Sequence, residues 1–103
     1  MMTLDHLSHN FETQFVDKEI TPASIDEKIR LANSALMVVD PSALQVRFSI
    51  GKPIDDVGIE DWQEDFCGTL VDLPSDCVDK SYKVYEVWYD GDDGVIEVMI
   101  YIP

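Results

Sequence analysis

Carboxylates are the one chemically capable group that this sequence concentrates. Between positions 53 and 79 stand Asp55, Asp56, Glu60, Asp61, Glu64, Asp65, Asp72, Asp76 and Asp79, with no Lys, Arg or His among them. A second group, Asp90, Asp92 and Asp93, follows close behind. Carboxylates with no paired base, nucleophile or metal set do little covalent chemistry. What they do well is attract cations, and on a protein surface that gives fast, salt-sensitive association with a basic partner. The first run is interleaved with Ile54, Val57, Ile59, Trp62, Phe66, Leu70, Val71 and Leu73. Such side chains can be buried, so the charges are expected on a folded surface and not on a loose tail.

The spacing sharpens this. Ile59, Trp62 and Phe66 fall on one helical stripe, which predicts a short helix over 57–67 capped by Asp56. Gly58 and Gly68 leave an irregular acidic loop as the alternative. On that helix Asp56, Glu60 and Glu64 form an i, i+4, i+8 row, Asp61 sits over Asp65, and Asp61 neighbours Glu64. Each like-charge contact opposes a helix by roughly 0.2–0.5 kcal/mol, so the four together cost about 1–2 kcal/mol. A chain shaped for stability alone would place a lysine there. The expected contacts are therefore Asp55, Asp56, Glu60, Asp61, Glu64 and Asp65, with Asp90, Asp92 and Asp93 next; the bland alternative is a solvated acidic face.

Other candidates are weaker. His6, His9 and Glu12 have helical metal-site spacing but no evident fourth ligand. Cys67 and Cys77 lack a CxxC partner, and Cys67 beside Phe66 reads as a core thiol among carboxylates that would blunt it. The 90–94 loop fails the EF-hand pattern, because its third acid and its Glu would fall on Gly94 and Tyr101. Trp62 and Trp88 are expected in the core, with an interface role as the alternative. No metal or cofactor is expected, and no constellation points to an enzyme.

The elements that position these groups follow from periodicity. Leu4, Leu7, Phe11 and Phe15 predict a helix over 4–15. Ile25, Ile29, Ala32, Leu36 and Val39 predict a second over 22–37, with Asp26, Glu27, Lys28 and Arg30 on its wet faces. Its start is Ser24-Ile25-Asp26-Glu27 as a capping box, or Thr21-Pro22 one turn earlier. Leu44, Val46, Phe48 and Ile50 alternate as a strand closed by Gly51-Lys52-Pro53, and Pro74-Ser75-Asp76 reads as a turn. Segments 82–89 and 95–102 flank an acidic loop and predict a β-hairpin. Ile96, Val98, Ile100 and Ile102 should face the core, while Tyr85, Val87 and Tyr89 leave the opposite face of the first strand apolar. The order α-α-β-α-β-β gives one small α+β domain: an antiparallel sheet of three or more strands with two to three helices packed on it.

Composition bounds the partner. The 103 residues hold 21 acids against 7 bases, a net charge of −14. DNA, RNA and anionic membranes need Lys and Arg clusters and are excluded as direct ligands. The N-terminal residues show neither an export signal nor an apolar span, so a reduced cytoplasmic setting is the default.

The run Asp40-Pro41 leading into an apolar strand, then Glu60-Asp61-Trp62-Gln63-Glu64, resembles the small acidic double-stranded-DNA-mimic proteins of bacteria, as does the acidic loop after residue 89. The likeness covers about half the chain. It implies a partner among basic DNA-associated proteins. Composition and resemblance together lead to the expectation of an inhibitor or immunity-type protein, monomer or homodimer, that neutralises a nuclease toxin, a CRISPR or restriction complex, or a DNA-binding protein. The alternative is a structural or assembly subunit that pairs through its C-terminal β-hairpin, whose terminal strand 95–102 is expected at a sheet edge.

Overall fold

The computed structural model describes residues 4–16, 18–34, 45–53, 62–90 and 92–103. Helix α1 spans Leu4–Phe15 and carries Phe11 and Phe15 stacked at 5.0 Å between centroids. Strand β1 is only Glu19–Ile20. Helix α2 spans Pro22–Ala32 and starts at the earlier of the two possible caps. The Ser24 amide donates to the Thr21 hydroxyl, and the Thr21 amide donates to the Ser24 hydroxyl, while Pro22 fills a first-turn position that lacks a donor need. Asn33 caps the far end; the expected continuation to Met37 passes outside the described residues beyond Ser34.

The remaining strands are β2 (Gln45–Pro53), β3 (Trp62–Thr69), β4 (Tyr82–Asp90) and β5 (Val95–Tyr101), with a 3-10 turn at Leu70–Asp72 after β3. They form one five-stranded sheet in the order β1-β4-β5-β2-β3. The sheet is mixed, not antiparallel throughout, because β2 runs parallel to β5. Pro74 accepts the Cys77 amide and so makes the expected turn.

The first correction falls in β3. Residues 62–67 are strand and not the C-terminal half of a helix, and they extend a long antiparallel pairing with β2. The pairing with β2, and not the helical stripe of Trp62 and Phe66, decides the conformation. The helical carboxylate row therefore does not exist for Glu64 and Asp65, nor does its cost. Asp55, Asp56, Glu60 and Asp61 lie outside the described residues.

The second correction concerns the hairpin. It forms as expected, but β5 lies between β4 and β2, so the terminal strand is interior and cannot add to another sheet. On its far side β4 pairs with β1, and α1 packs against it. An irregularity between Val84 and Glu86 inserts Tyr85 as an extra residue, which turns Val87 and Tyr89 to the same side as Val84. The opposite face is accordingly less apolar than the sequence suggests. Ile102 is exposed, not in the core.

The core is a single cluster. Val46, Phe48 and Ile50 of β2, Val84 and Val87 of β4, and Ile96, Val98 and Ile100 of β5 form its floor, with Phe11 from α1 and Ile25 and Ile29 from α2 packed in the same cluster. The Lys28 ammonium lies 5.1 Å above the Phe15 ring and ties the two helices. Among the described residues no helix is long and apolar enough to cross a membrane.

Candidate carboxylate interface

Strand register separates the expected acidic residues. Glu64 pairs with Gly51 near one end of β2, whereas Asp90 pairs with Val95, which pairs with Gln45 at the other end. Six residues of strand separate Gln45 from Gly51, about 20 Å at roughly 3.3 Å per residue. Glu64 and Asp65 thus lie on a different part of the surface from the hairpin acids. Glu64 and Asp65 are exposed on edge strand β3, where the register shifts between Ile50 and Gly51.

At the hairpin end the backbone fixes the acids. One oxygen of Asp90 accepts the amides of Asp92, at 3.0 Å, and Asp93, at 3.3 Å. The Gly94 amide donates to the Asp90 carbonyl at 2.9 Å, and Gly94 sits at φ 66, a conformation that favours glycine. Asp92 and Asp93 are left exposed, with their amides held by Asp90.

Between these ends, the sheet face away from the core carries most of the remaining polar chemistry. Register aligns Thr69, Arg47, Glu97 and Trp88 in one row across four strands, and Cys67, Ser49, Met99 and Glu86 in the next. Arg47 donates from Nη1 to Glu97 Oε1 at 2.9 Å. Trp88 is 50% exposed, against the expectation of a core residue. Tyr85 meets Tyr101 edge-on on the same face. Burial, with repulsion from Glu12 of α1, pushes the Glu86 carboxyl above its ordinary range.

Cys67 is exposed and not a core thiol. The Ser49 hydroxyl donates to its sulfur at 3.6 Å. Partial burial raises its pKa; Ser49 and Arg47 pull it down and Glu64 pushes it further up, for a net rise that disfavours the nucleophilic thiolate. Among the described residues no cluster of three or more His, Cys, Asp or Glu is placed to hold a metal. Burial first, then the neighbouring Cys77 and Asp76, push the Tyr82 phenol up to about 12, so it stays protonated as part of the core.

Sequence reasoning missed Asp26. It is buried on α2, with Oδ2 accepting from Arg30 Nε at 2.9 Å and Oδ1 without a partner. The pair lines a groove of about 520 Å³ beside exposed Leu31. The i, i+4 spacing of Asp26 and Arg30 was the available signal, but the pattern of the helix put both on wet faces.

No family model, curated protein sequence or solved structure matches the chain.

Proposed function

We propose that this protein is a binding protein and not an enzyme, and that it occupies a basic nucleic-acid-handling protein in the cytoplasm by presenting carboxylates where that partner would meet phosphates. The observation that carries the reading is the held acidic loop. Asp90 spends its own oxygen on the amides of Asp92 and Asp93, and a net charge of −14 surrounds a loop thus shaped before any partner arrives. Preorganised charge binds with less ordering cost than a mobile acidic tail. The Glu64 and Asp65 end offers a second contact, and the motif resemblance points to the same class of partner. An inhibitor, an immunity protein for a nuclease toxin and an antagonist of a CRISPR or restriction complex all fit this chemistry.

The test is capture of partners from the source cell's lysate at low and high salt, with duplex DNA as competitor. The wild type is run beside an Asp92→Asn/Asp93→Asn variant and a Glu64→Gln/Asp65→Asn variant. The expected result is a basic nucleic-acid-binding protein that salt and duplex DNA both release and that the loop variant fails to hold. Capture indifferent to salt, DNA and both variants would sink the mimicry.

A further inference from the structure

Trp88 is an unusual residue to leave half exposed on a sheet whose other face holds the core. Its neighbours give it a chemistry. Glu86 and Asp90 stand two residues to either side on the same face of β4, and Glu97 lies directly across on β5. Trp88 and Glu97 are a cross-strand pair, so their Cβ atoms stand roughly 5 Å apart. Glu97 already accepts one guanidinium, that of Arg47, along the same row. Among the described residues no ion pair compensates Glu86, and what it meets from α1 is the like charge of Glu12. An indole flanked by carboxylates is complementary to one kind of side chain: a flat cation. A second copy of this chain is a poor occupant, because it would bring another −14 to an acidic face.

We propose that the Trp88 face of the hairpin is the seat for an arginine side chain of the basic partner, stacked on the indole with its fork toward Glu86 and Glu97. Arginine suits the place better than lysine. Its guanidinium is planar, weakly hydrated and able to stack on an aromatic ring while donating sideways to carboxylates, whereas an ammonium is a compact, strongly hydrated point charge. Tryptophan and arginine are also the residues that most often dominate binding hot spots. The inference rests on the reading of a basic partner given above and adds where that partner anchors: on the sheet face next to the acidic loop, which steers it there.

The experiment uses the full chain with Trp62→Phe, so that emission reports Trp88 alone. Oligo-arginine and oligo-lysine peptides of equal length are titrated at low salt, with affinities from calorimetry. The arginine peptide should change Trp88 emission and bind about five-fold tighter than the lysine peptide, equivalent to about 1 kcal/mol. Trp88→Leu and, independently, Glu86→Gln should each abolish that preference, and thermal melts show that the variants are folded. Glu64→Gln/Asp65→Asn should leave the preference intact. Equal binding of both peptides with silent Trp88 emission would overturn the arginine seat while leaving the basic-partner reading standing. Binding of neither peptide would overturn both.

Discussion

The two faces of the sheet are made from alternate residues of the same strands, yet they obey different rules. One face is apolar across β4, β5 and β2 and shares a single cluster with residues of both helices. The other mixes Trp88, Glu86, Glu97, Arg47, Ser49 and Cys67, none of them fully buried. The first is dictated by the free energy of burial, roughly 25 cal/mol per Å² of apolar surface. The second carries groups that burial does not require. Two irregularities, at Tyr85 in β4 and at Asp65 in β3, keep the faces apart where simple alternation would have mixed them. Chemistry sits where packing leaves a choice.

The sharpest way to break this contrast is to mutate neighbours that point opposite ways. Phe48→Ala, at a position with no exposure, should lower stability by about 3–5 kcal/mol in urea unfolding, since it removes a ring from a packed core. A smaller but definite loss, about 1–3 kcal/mol, is expected for Gly51→Ala. Gly51 belongs to the second face by register, but a Cβ there would collide with the Gln63 carbonyl of β3. Arg47→Ala, next to Phe48 in sequence, should cost at most about 1 kcal/mol, because its ion pair with Glu97 is partly exposed.

The smallest effect has the opposite sign. The Glu86 carboxyl titrates above its ordinary 4.5, so the folded state holds its proton more tightly than the unfolded chain does. The cost of charging it is absent below the unfolded pKa and fully present above the folded one. Glu86→Gln should therefore raise the melting temperature slightly at neutral pH and leave it unchanged well below the glutamate range. Equal shifts at both pH values would mean that the cost of charging Glu86, from burial first and Glu12 second, is not the cause.

Local order was legible where one period stood alone. Phe11 and Phe15, Ile25 and Ile29, and the alternation through Val46, Phe48 and Ile50 lie where their spacing puts them. Residues 62–67 misled because Ile59, Trp62 and Phe66 fall on one helical stripe, whereas pairing with β2, which no local spacing shows, makes the strand. Nothing local reveals that β5 runs parallel to a strand about fifty residues earlier, or that Tyr85 is an extra residue. Of the candidate site, the acidic composition was legible; the separation of Glu64 and Asp65 from Asp90 was not, because register decides it. Trp88 was named, but its exposure depends on that same register.

The place of β5 has a consequence for how the chain acquires its shape. Strands β2 and β3 form one half of the sheet, β1 and β4 the other, and β5 alone joins them. Of the five strands it is also the last to leave a ribosome. Until it inserts, each half exposes an apolar face and an open edge, and no smaller piece holds the complete core. Folding must then wait for the final strand and close a parallel pairing across a long loop, which is slow by topology. A fragment that stops before Val95 should not be a weaker version of this protein. It should be an unfolded one.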